Sequence, residues 1–357
     1  MAKADIRLLS LEELSEFFVE KGEKAFRAKQ VYEWLWQKSA RTFEEMSNLS
    51  KGTRDLLGGH FSINCVSIDS CEISRDRTIK DAFRLHDGNI VEGVLIPTSE
   101  RMTACISSQV GCSLTCSFCA TGRLTRLRNL DAAEIYDQVV LIRNQAQEKY
   151  FLPLSNIVYM GMGEPLLNYK NVLESIEKIT SPQGLGMSPQ RITVSTAGIA
   201  KMIKKLGDDQ VRFNLALSLH AANDEKRSRI MPINLDNSLD ALADALNYFY
   251  DKTGTRVTFE YIVFKDFNDS IADAQELVEF WERVPSKINI IEYNPIDDGE
   301  FQQTTEQRLG AFVEHLERNK LIVNVRRSRG KDIAAACGQL ANKSKQGLAN
   351  RKLKPIS

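Results

Sequence analysis

No stretch of this sequence comes near the ~18 consecutive apolar residues that a membrane-spanning helix requires. Its opening, MAKADIRLLSLEELSEFF, is acidic and amphipathic and does not lead from a basic stretch into an apolar core, so no secretory signal is expected. Excess charge is missing as well: 47 Lys and Arg balance 47 Asp and Glu. Attraction to a polyanion can therefore come only from local clusters. An even set of cysteines is absent too. The seven are Cys65, Cys71, Cys105, Cys112, Cys116, Cys119 and Cys337. An odd number without a leader argues against a disulfide framework and for a reducing, cytoplasmic setting. The 357 residues are 43% hydrophobic and 26% charged, a balance that excludes a disordered or low-complexity chain. That length accommodates one large domain plus a small one.

Residues 10–58 carry helical periodicity in LEELSEFFVEKG up to Gly22, AFRAKQVYEWLWQK, and SKGTRDLLGGH ending at Gly58 and Gly59. Between 61 and 97 the pattern changes to strands, with a turn at Asp87-Gly88. Residues 1–85 are expected to form a small, mainly helical accessory domain that reads RNA shape through its basic second helix with Trp34 and Trp36. From 90 onward, the candidate strands MTACISS, NIVYMG, RITVST, RFNLALSLH, RVTFEYIVF, KINIIEY and LIVNVRR alternate with amphipathic stretches. These stretches are 131–148, 168–179, 238–251, 270–284 and 304–319, the first opened by an Asp131/Glu134 capping box. The alternation implies an α/β domain over 90–325 with a parallel sheet, either doubly wound or a barrel. Ligands in such folds sit at the C-terminal strand ends, where MGMGEP, STAG, SLHAAND and YNP fall. Residues 326–357 form a basic segment in which Arg326, Arg327, Arg329, Lys331, Lys343, Lys345, Arg351, Lys352 and Lys354 face the single acid Asp332. It is expected to contact a polyanion. So are Arg123, Arg126 and Arg128, and Lys226, Arg227 and Arg229, which flank the expected site loops.

The informative segment is Cys112-Ser-Leu-Thr-Cys116-Ser-Phe-Cys119. Its spacing puts three thiols on one short loop. A structural zinc site takes four ligands, and so does an electron-transfer [4Fe–4S] cluster. Three thiolates leave one iron open to bind a substrate. A structural staple that recruits Cys105 or Cys337 as fourth ligand is the competing reading, and with it a non-catalytic iron–sulfur or zinc RNA-binding protein. CxxxCxxC after the first strand of a βα array is the hallmark spacing of the radical SAM superfamily, and Phe118 matches the aromatic usually found before the third cysteine. Gly161-Met162-Gly163-Glu164 resembles the superfamily's strand-end motif.

The likeness extends further. CISSQVGC (105–112), MGMGEP (160–165), STAG (195–198), LSLHA (217–221), MPIN (231–234), YNP (293–295) and RGKDIAAACGQ (329–339) together resemble the RlmN family. These are radical SAM methyltransferases acting on C2 of adenine in 23S rRNA and, in some members, tRNA. The resemblance covers roughly 90–340 and more loosely the N-terminal segment. It implies an incomplete (βα) barrel with a small helical accessory domain. Pro165 and Val110 lean toward the C2 branch; the related C8 enzymes of the antibiotic-resistance type are the in-family alternative.

The resemblance also implies a chemistry. One [4Fe–4S] cluster sits on Cys112, Cys116 and Cys119, and two S-adenosylmethionine (SAM) molecules are used per turnover. SAM contacts fall on Gly163, Glu164, Ser195, Ser218, Leu219, His220 and Asn294. Cys337 takes a methyl group as S-methylcysteine, because sulfur is the nucleophile that an aromatic carbon is not. A methylene radical on Cys337 then links to C2, and Glu92 accepts the C2 proton. Glu92 is an acid inside the apolar run of VEGVLIP, where burial would raise its pKa toward that of a useful base. Cys105 frees the product through a transient Cys105–Cys337 disulfide. The partners implied are 23S rRNA, tRNA and a flavodoxin- or ferredoxin-type electron donor, with the protein acting as a monomer away from membranes. The target adenine must leave its stack, which favours loop adenines.

Overall fold

The computed structural model describes residues 3–342. Lys343, Lys345, Arg351, Lys352 and Lys354 of the expected polyanion-binding segment lie outside them. A short parallel pair, β1 (Ala4–Asp5) with β2 (Phe61–Ser62), ties the two ends of the helical N-terminal segment together. Between them run α1 (Leu11–Glu20), α2 (Phe26–Trp36) and α3 (Lys51–His60). α1 starts at a full Ser10/Glu13 capping box. α3 does not stop at Gly58 and Gly59 as expected. It runs on through His60, and the Phe61 N–H still donates to the carbonyl of the buried Leu57.

The helical segment is bolted to the rest of the molecule. Arg7 is buried; its guanidinium donates to Asp137 Oδ1 at 2.8 Å and Asp5 Oδ2 at 3.2 Å, and Asp137 Oδ2 accepts the Val66 N–H. Trp36 stacks edge-on against Tyr136 at 5.1 Å and is 1% exposed, so it is a core pivot and not an RNA reader. Trp34 is half-buried and lies under the Lys38 ammonium at 3.9 Å.

β3 (Ser67–Ile73), β4 (Ile79–Arg84) and β5 (Ile90–Pro97) form an antiparallel meander that β6 (Met102–Cys105) extends. The β4–β5 hairpin turns at Asp87-Gly88, as the sequence suggests, with Gly88 at φ +81°. β7 (Gln109–Val110) and β8 (Arg128–Asn129) then pair with each other and bracket the cysteine segment. Beyond them helices and strands alternate, apart from two successive helices between β11 and β12: α4 (Ala132–Tyr150), β9 (Asn156–Tyr159), α5 (Tyr169–Thr180), β10 (Ile192–Thr196), α6 (Ala200–Asp208), β11 (Asn214–Ser218), α7 (Asp224–Ile230), α8 (Leu239–Thr253), β12 (Val257–Val263), α9 (Ile271–Arg283), β13 (Ser286–Glu292), α10 (Glu306–Arg318) and β14 (Val323–Arg326). β6 and β9 to β14 lie side by side in chain order, all parallel. The run does not close on itself. β14 is one edge of a ten-stranded sheet, and at the other end β6 passes to the meander and edge strand β3. This is the incomplete (βα) barrel with an N-terminal helical domain, and its sheet already begins at Ser67, inside the 1–85 segment. The Asp131/Glu134 capping box opens α4 as expected.

Candidate active site

The cysteine segment is closed by the β7–β8 pair and by a further bridge between Cys112 and Thr125. Inside it the Cys119 N–H donates to Cys116 O at 3.2 Å, and the Ser117 N–H donates to Ile230 O at the end of α7. A Cβ at Gly122 would stand 2.7 Å from Cys116 O, so this curl requires glycine there. Cys112, Cys116 and Cys119 all line one cavity, about 880 Å³ counting the space open to solvent. Burial pushes the Cys116 thiol upward, and Cys119 and Cys112 push it further, so the three sulfurs are electrostatic neighbours. Three thiols on the lining of one cavity could serve as thiolate ligands of an iron–sulfur cluster.

The strand ends of the barrel supply the facing wall. The turn after β9 carries Gly163 at φ +99°, where a Cβ would meet Gln109 Cβ at 2.5 Å. Glu164 is buried: its Oε2 accepts the Ala197 N–H at 2.7 Å and its Oε1 the Leu166 N–H at 3.0 Å. Burial raises its carboxyl, and these amides oppose the rise. Ser195 Oγ and Ser218 Oγ stand 3.3 Å apart at the ends of β10 and β11. His220 follows β11 in the left-handed region at φ +57°, and its Nδ1 accepts the Ile262 N–H. Burial, then the nearby Arg227, hold its pKa down to about 3, so the ring is neutral and suited to contact, not proton transfer. Phe118 packs edge-on against it at 4.7 Å. Gly163, Glu164, Ser195, Ser218 and His220 line the cavity. Leu219 and Asn294 stand behind its wall: Leu219 through its backbone, and Asn294 with its Nδ2 on Cys337 O at 3.4 Å and a buried Oδ1 without a partner.

Cys337 reaches the cavity on a strap, residues 329–342, of which Cys337 and Gly338 line the wall. On the meander side, Asp76 Oδ2 accepts the Gly330 N–H, Asp332 accepts from Ser74 Oγ and the Arg75 N–H, and Lys80 Nζ donates to Ile333 O. On the cysteine side, the Ala120 N–H donates to Gly338 O and Thr121 Oγ1 to Leu340 O. Cys337 lines the cavity and keeps surface open to solvent. The protein packed around its sulfur raises its thiol, as does Glu260. The meander contacts are acid-sensitive. Burial would raise the Asp76 carboxyl, but the hydrogen bonds from Gly330 and Thr78 prevail and bring it to about 2 from 3.8. A depressed folded-state pKa gives stability that is present above the unfolded value and lost below the folded one. The stability gap between wild type and Asp76→Asn should be full above pH 3.8 and close as the pH falls through about 2, which denaturant titrations at several pH values will read.

Cys105 ends β6, buried and paired across to Val94 and Val158. Burial raises its thiol and Cys337 raises it further, so the two outer sulfurs sense each other. Glu92 lies in β5, 2% exposed, outside the cavity lining. Its Oε2 accepts the N–H groups of Ala341 and Asn342 at 2.7 and 3.0 Å, and its Oε1 is 4.0 Å from Lys80 Nζ. It therefore anchors the strap that carries Cys337.

Sequence reasoning missed Glu260 in β12. It lines the cavity, burial raises its carboxyl, and its Oε2 has no hydrogen bond, with Arg326 Nη1 3.6 Å away. The signal was available: an acid within the apolar TFEYIVF is the same anomaly as Glu92. Two basic clusters need correction. Arg128 is committed to Glu134 and Asp87. Arg227 is fully buried, and Lys226 pairs with the buried Asp273. A charge run beside a site loop reads the same whether it faces a phosphate or the interior.

Residues 5–63 match the ribosomal RNA large subunit methyltransferase N-terminal domain, and residues 106–280 match the radical SAM superfamily. A Cytophaga hutchinsonii protein named as a probable dual-specificity RNA methyltransferase RlmN is 63% identical over 341 residues, 96% of this chain and 93% of its own. The dual-specificity RNA methyltransferase RlmN of Geotalea uraniireducens is 44% identical, covering 95% of this chain and 97% of its own. The crystal structure of a radical SAM methyltransferase from Sphaerobacter thermophilus superposes with a TM-score of 0.89 at 37% identity, over 94% of this chain and 99% of that one.

Proposed function

Because this chain belongs to the RlmN family of radical SAM methyltransferases, we propose that it methylates C2 of adenine in 23S rRNA and in tRNA, in the cytoplasm and as a monomer. The observation that carries the reading is Cys337, held by the strap over a cavity lined by Cys112, Cys116, Cys119 and the Gly163-Glu164 turn. Those three cysteines would hold a [4Fe–4S] cluster. When bound with SAM at its open iron, the cluster supplies a one-electron cleavage and hence a carbon-centred radical.

The chain's own residues do the rest. Glu164, with both carboxylate oxygens anchored on backbone amides, presents its remaining lone pairs to the SAM ammonium. Ser195, Ser218, the neutral His220 and Asn294 orient that ligand. Cys337 sulfur acts as the nucleophile: as a thiolate it forms an S–CH₃ bond with a first SAM, consumed as a substrate, and the C–S⁺ bond of that SAM breaks to give a neutral thioether. The S-methyl carbon gives up one hydrogen atom to the carbon-centred radical and joins C2; Glu92 then takes the C2 proton on Oε1, one electron leaves the adduct to the electron-transfer partner, and Oε2 keeps the strap in place. The Cys105 thiolate then attacks Cys337 sulfur; an S–S bond forms, the bond from sulfur to the methylene carbon breaks, that carbon takes up a proton to become the methyl group on C2, and two external electrons later reopen the disulfide. A flavodoxin- or ferredoxin-type protein donates electrons, and the N-terminal helical domain engages the RNA.

Iron-loaded protein incubated anaerobically with SAM, reductant and an rRNA fragment or tRNA should yield 2-methyladenosine at one position, read by nucleoside mass spectrometry. An 8-methyladenosine product would move the chain to the C8 branch. No product from protein with an intact cluster would sink the reading and favour a non-catalytic RNA-binding protein.

A further inference from the structure

Arg227 is one of the largest fully buried side chains, at 0% exposure. Its Nε donates to Leu219 O at 3.1 Å, its Nη1 to Asn234 Oδ1 at 2.6 Å, and its Nη2 to Ala197 O at 2.6 Å and Ser218 O at 3.2 Å. All four acceptors are neutral. Among the described residues no carboxylate lies within 4.0 Å of the guanidinium. Asp224 stands one step back, its Oδ1 accepting from Asn234 Nδ2 and from the Leu239 N–H. A buried guanidinium without a carboxylate partner is costly unless another negative charge compensates it.

The geometry says where that charge is. Ala197 and Ser218, whose carbonyls the guanidinium holds, line the cavity beside Cys116. The last turn of α7, the helix that carries Arg227, accepts the Ser117 N–H through Ile230 O. The cation thus sits behind the strand-end wall, on a helix whose last turn touches the cysteine loop. Burial lowers its pKa to about 10, and among the negative groups opposing that fall Cys116 comes before Asp224.

We infer that Arg227 is the buried counter-charge of the cluster ligated by Cys112, Cys116 and Cys119, and that it raises the cluster's reduction potential. The inference rests on the reading of those cysteines as cluster ligands. Three thiolates on an oxidised [4Fe–4S]²⁺ core carry a net charge of −1, and the one electron delivered by the external donor makes it −2. A fixed cation stabilises the second state more than the first, so net charge near the cluster sets the potential. Arginine suits the task because it stays charged and its fork ties two strand ends at once.

The test is an EPR-monitored redox titration of anaerobically loaded, full-length protein with iron content measured. Arg227→Met should shift the midpoint negative, cutting the reduced fraction at a fixed potential roughly tenfold, about 59 mV for one electron. Arg227→Lys should recover most of that shift. A purely structural role would lower iron loading or melting temperature but leave the midpoint of loaded clusters unchanged, and that result would overturn the inference. If Arg227→Met fails to load, the paired swap Asp224→Asn with Asn234→Asp keeps the guanidinium and its hydrogen bonds while bringing the carboxylate into contact with it. The midpoint should again move negative, and an unmoved midpoint there also overturns the inference. Wild-type protein that forms no cluster would instead defeat the family reading.

Discussion

Cys105→Ala is expected to leave RNA covalently attached to the protein. In the proposed sequence the methyl carbon joins Cys337 to C2 before Cys105 breaks that link, so removing Cys105 stops the reaction one step after attachment. Turnover should fall on the order of 10⁴-fold or more, the scale on which loss of a covalent group acts. A slow-migrating RNA–protein species should persist on denaturing gels, and peptide mass spectrometry should place the link at Cys337. The double variant Cys105→Ala/Cys337→Ala should show no such species. No other thiol is placed to substitute. Cys105 and Cys337 sense each other, whereas Cys65 Sγ is turned to Arg41 O at 3.6 Å and Cys71 lies in the edge strand β3. The substitution is also mild for the fold: Cys105 is a small buried side chain at a strand end, so the melting temperature should stay close to wild type. Absence of the adduct from a folded, iron-loaded Cys105→Ala protein would remove Cys105 from the role of resolving thiol.

What the sequence discloses and what it hides follow from the range of the interactions. CxxxCxxC is local: three thiols within eight residues must share a loop, and that loop indeed lines the cavity. The strands β6 and β9 to β14 are legible because each is a short β-branched or aromatic run between amphipathic helices. α6 and α7 escaped because nine and seven residues are too few to repeat a helical period convincingly, and α7, DEKRSRI, is almost entirely polar. Burial of Glu92 and Glu260 is legible from the apolar residues around them. Their partners are not: the amides of Ala341 and Asn342 lie 249 and 250 residues from Glu92, and no pattern within either segment announces the other. The same blindness turned Arg128, held by Glu134 and Asp87, and the buried Arg227 and Trp36 into apparent RNA contacts.

Glu92 is the residue on which the strap and the chemistry meet, and two substitutions should separate the roles. Glu92→Gln keeps an oxygen that can accept from both Ala341 and Asn342, so the strap stays docked and Cys337 continues to acquire its methyl group. What is lost is the carboxylate that takes the C2 proton. Turnover should drop roughly 10²–10⁴-fold, the range for removing a positioned general base, with RNA attached to Cys337 accumulating because attachment precedes deprotonation. Glu92→Leu removes both functions. It leaves two buried amides without an acceptor and deprives Lys80 of a nearby carboxylate. Breaking a buried charged partnership from one side costs about 3 kcal/mol or more. That cost falls on the segment that positions Cys337, so methylation of Cys337, read as a mass increase of the intact protein, should itself decline. If Glu92→Gln and Glu92→Leu lose Cys337 methylation equally, the carboxylate serves the strap alone and the proton acceptor must be sought elsewhere, with Glu260 in the cavity wall, whose Oε2 accepts no hydrogen bond, the next residue to replace.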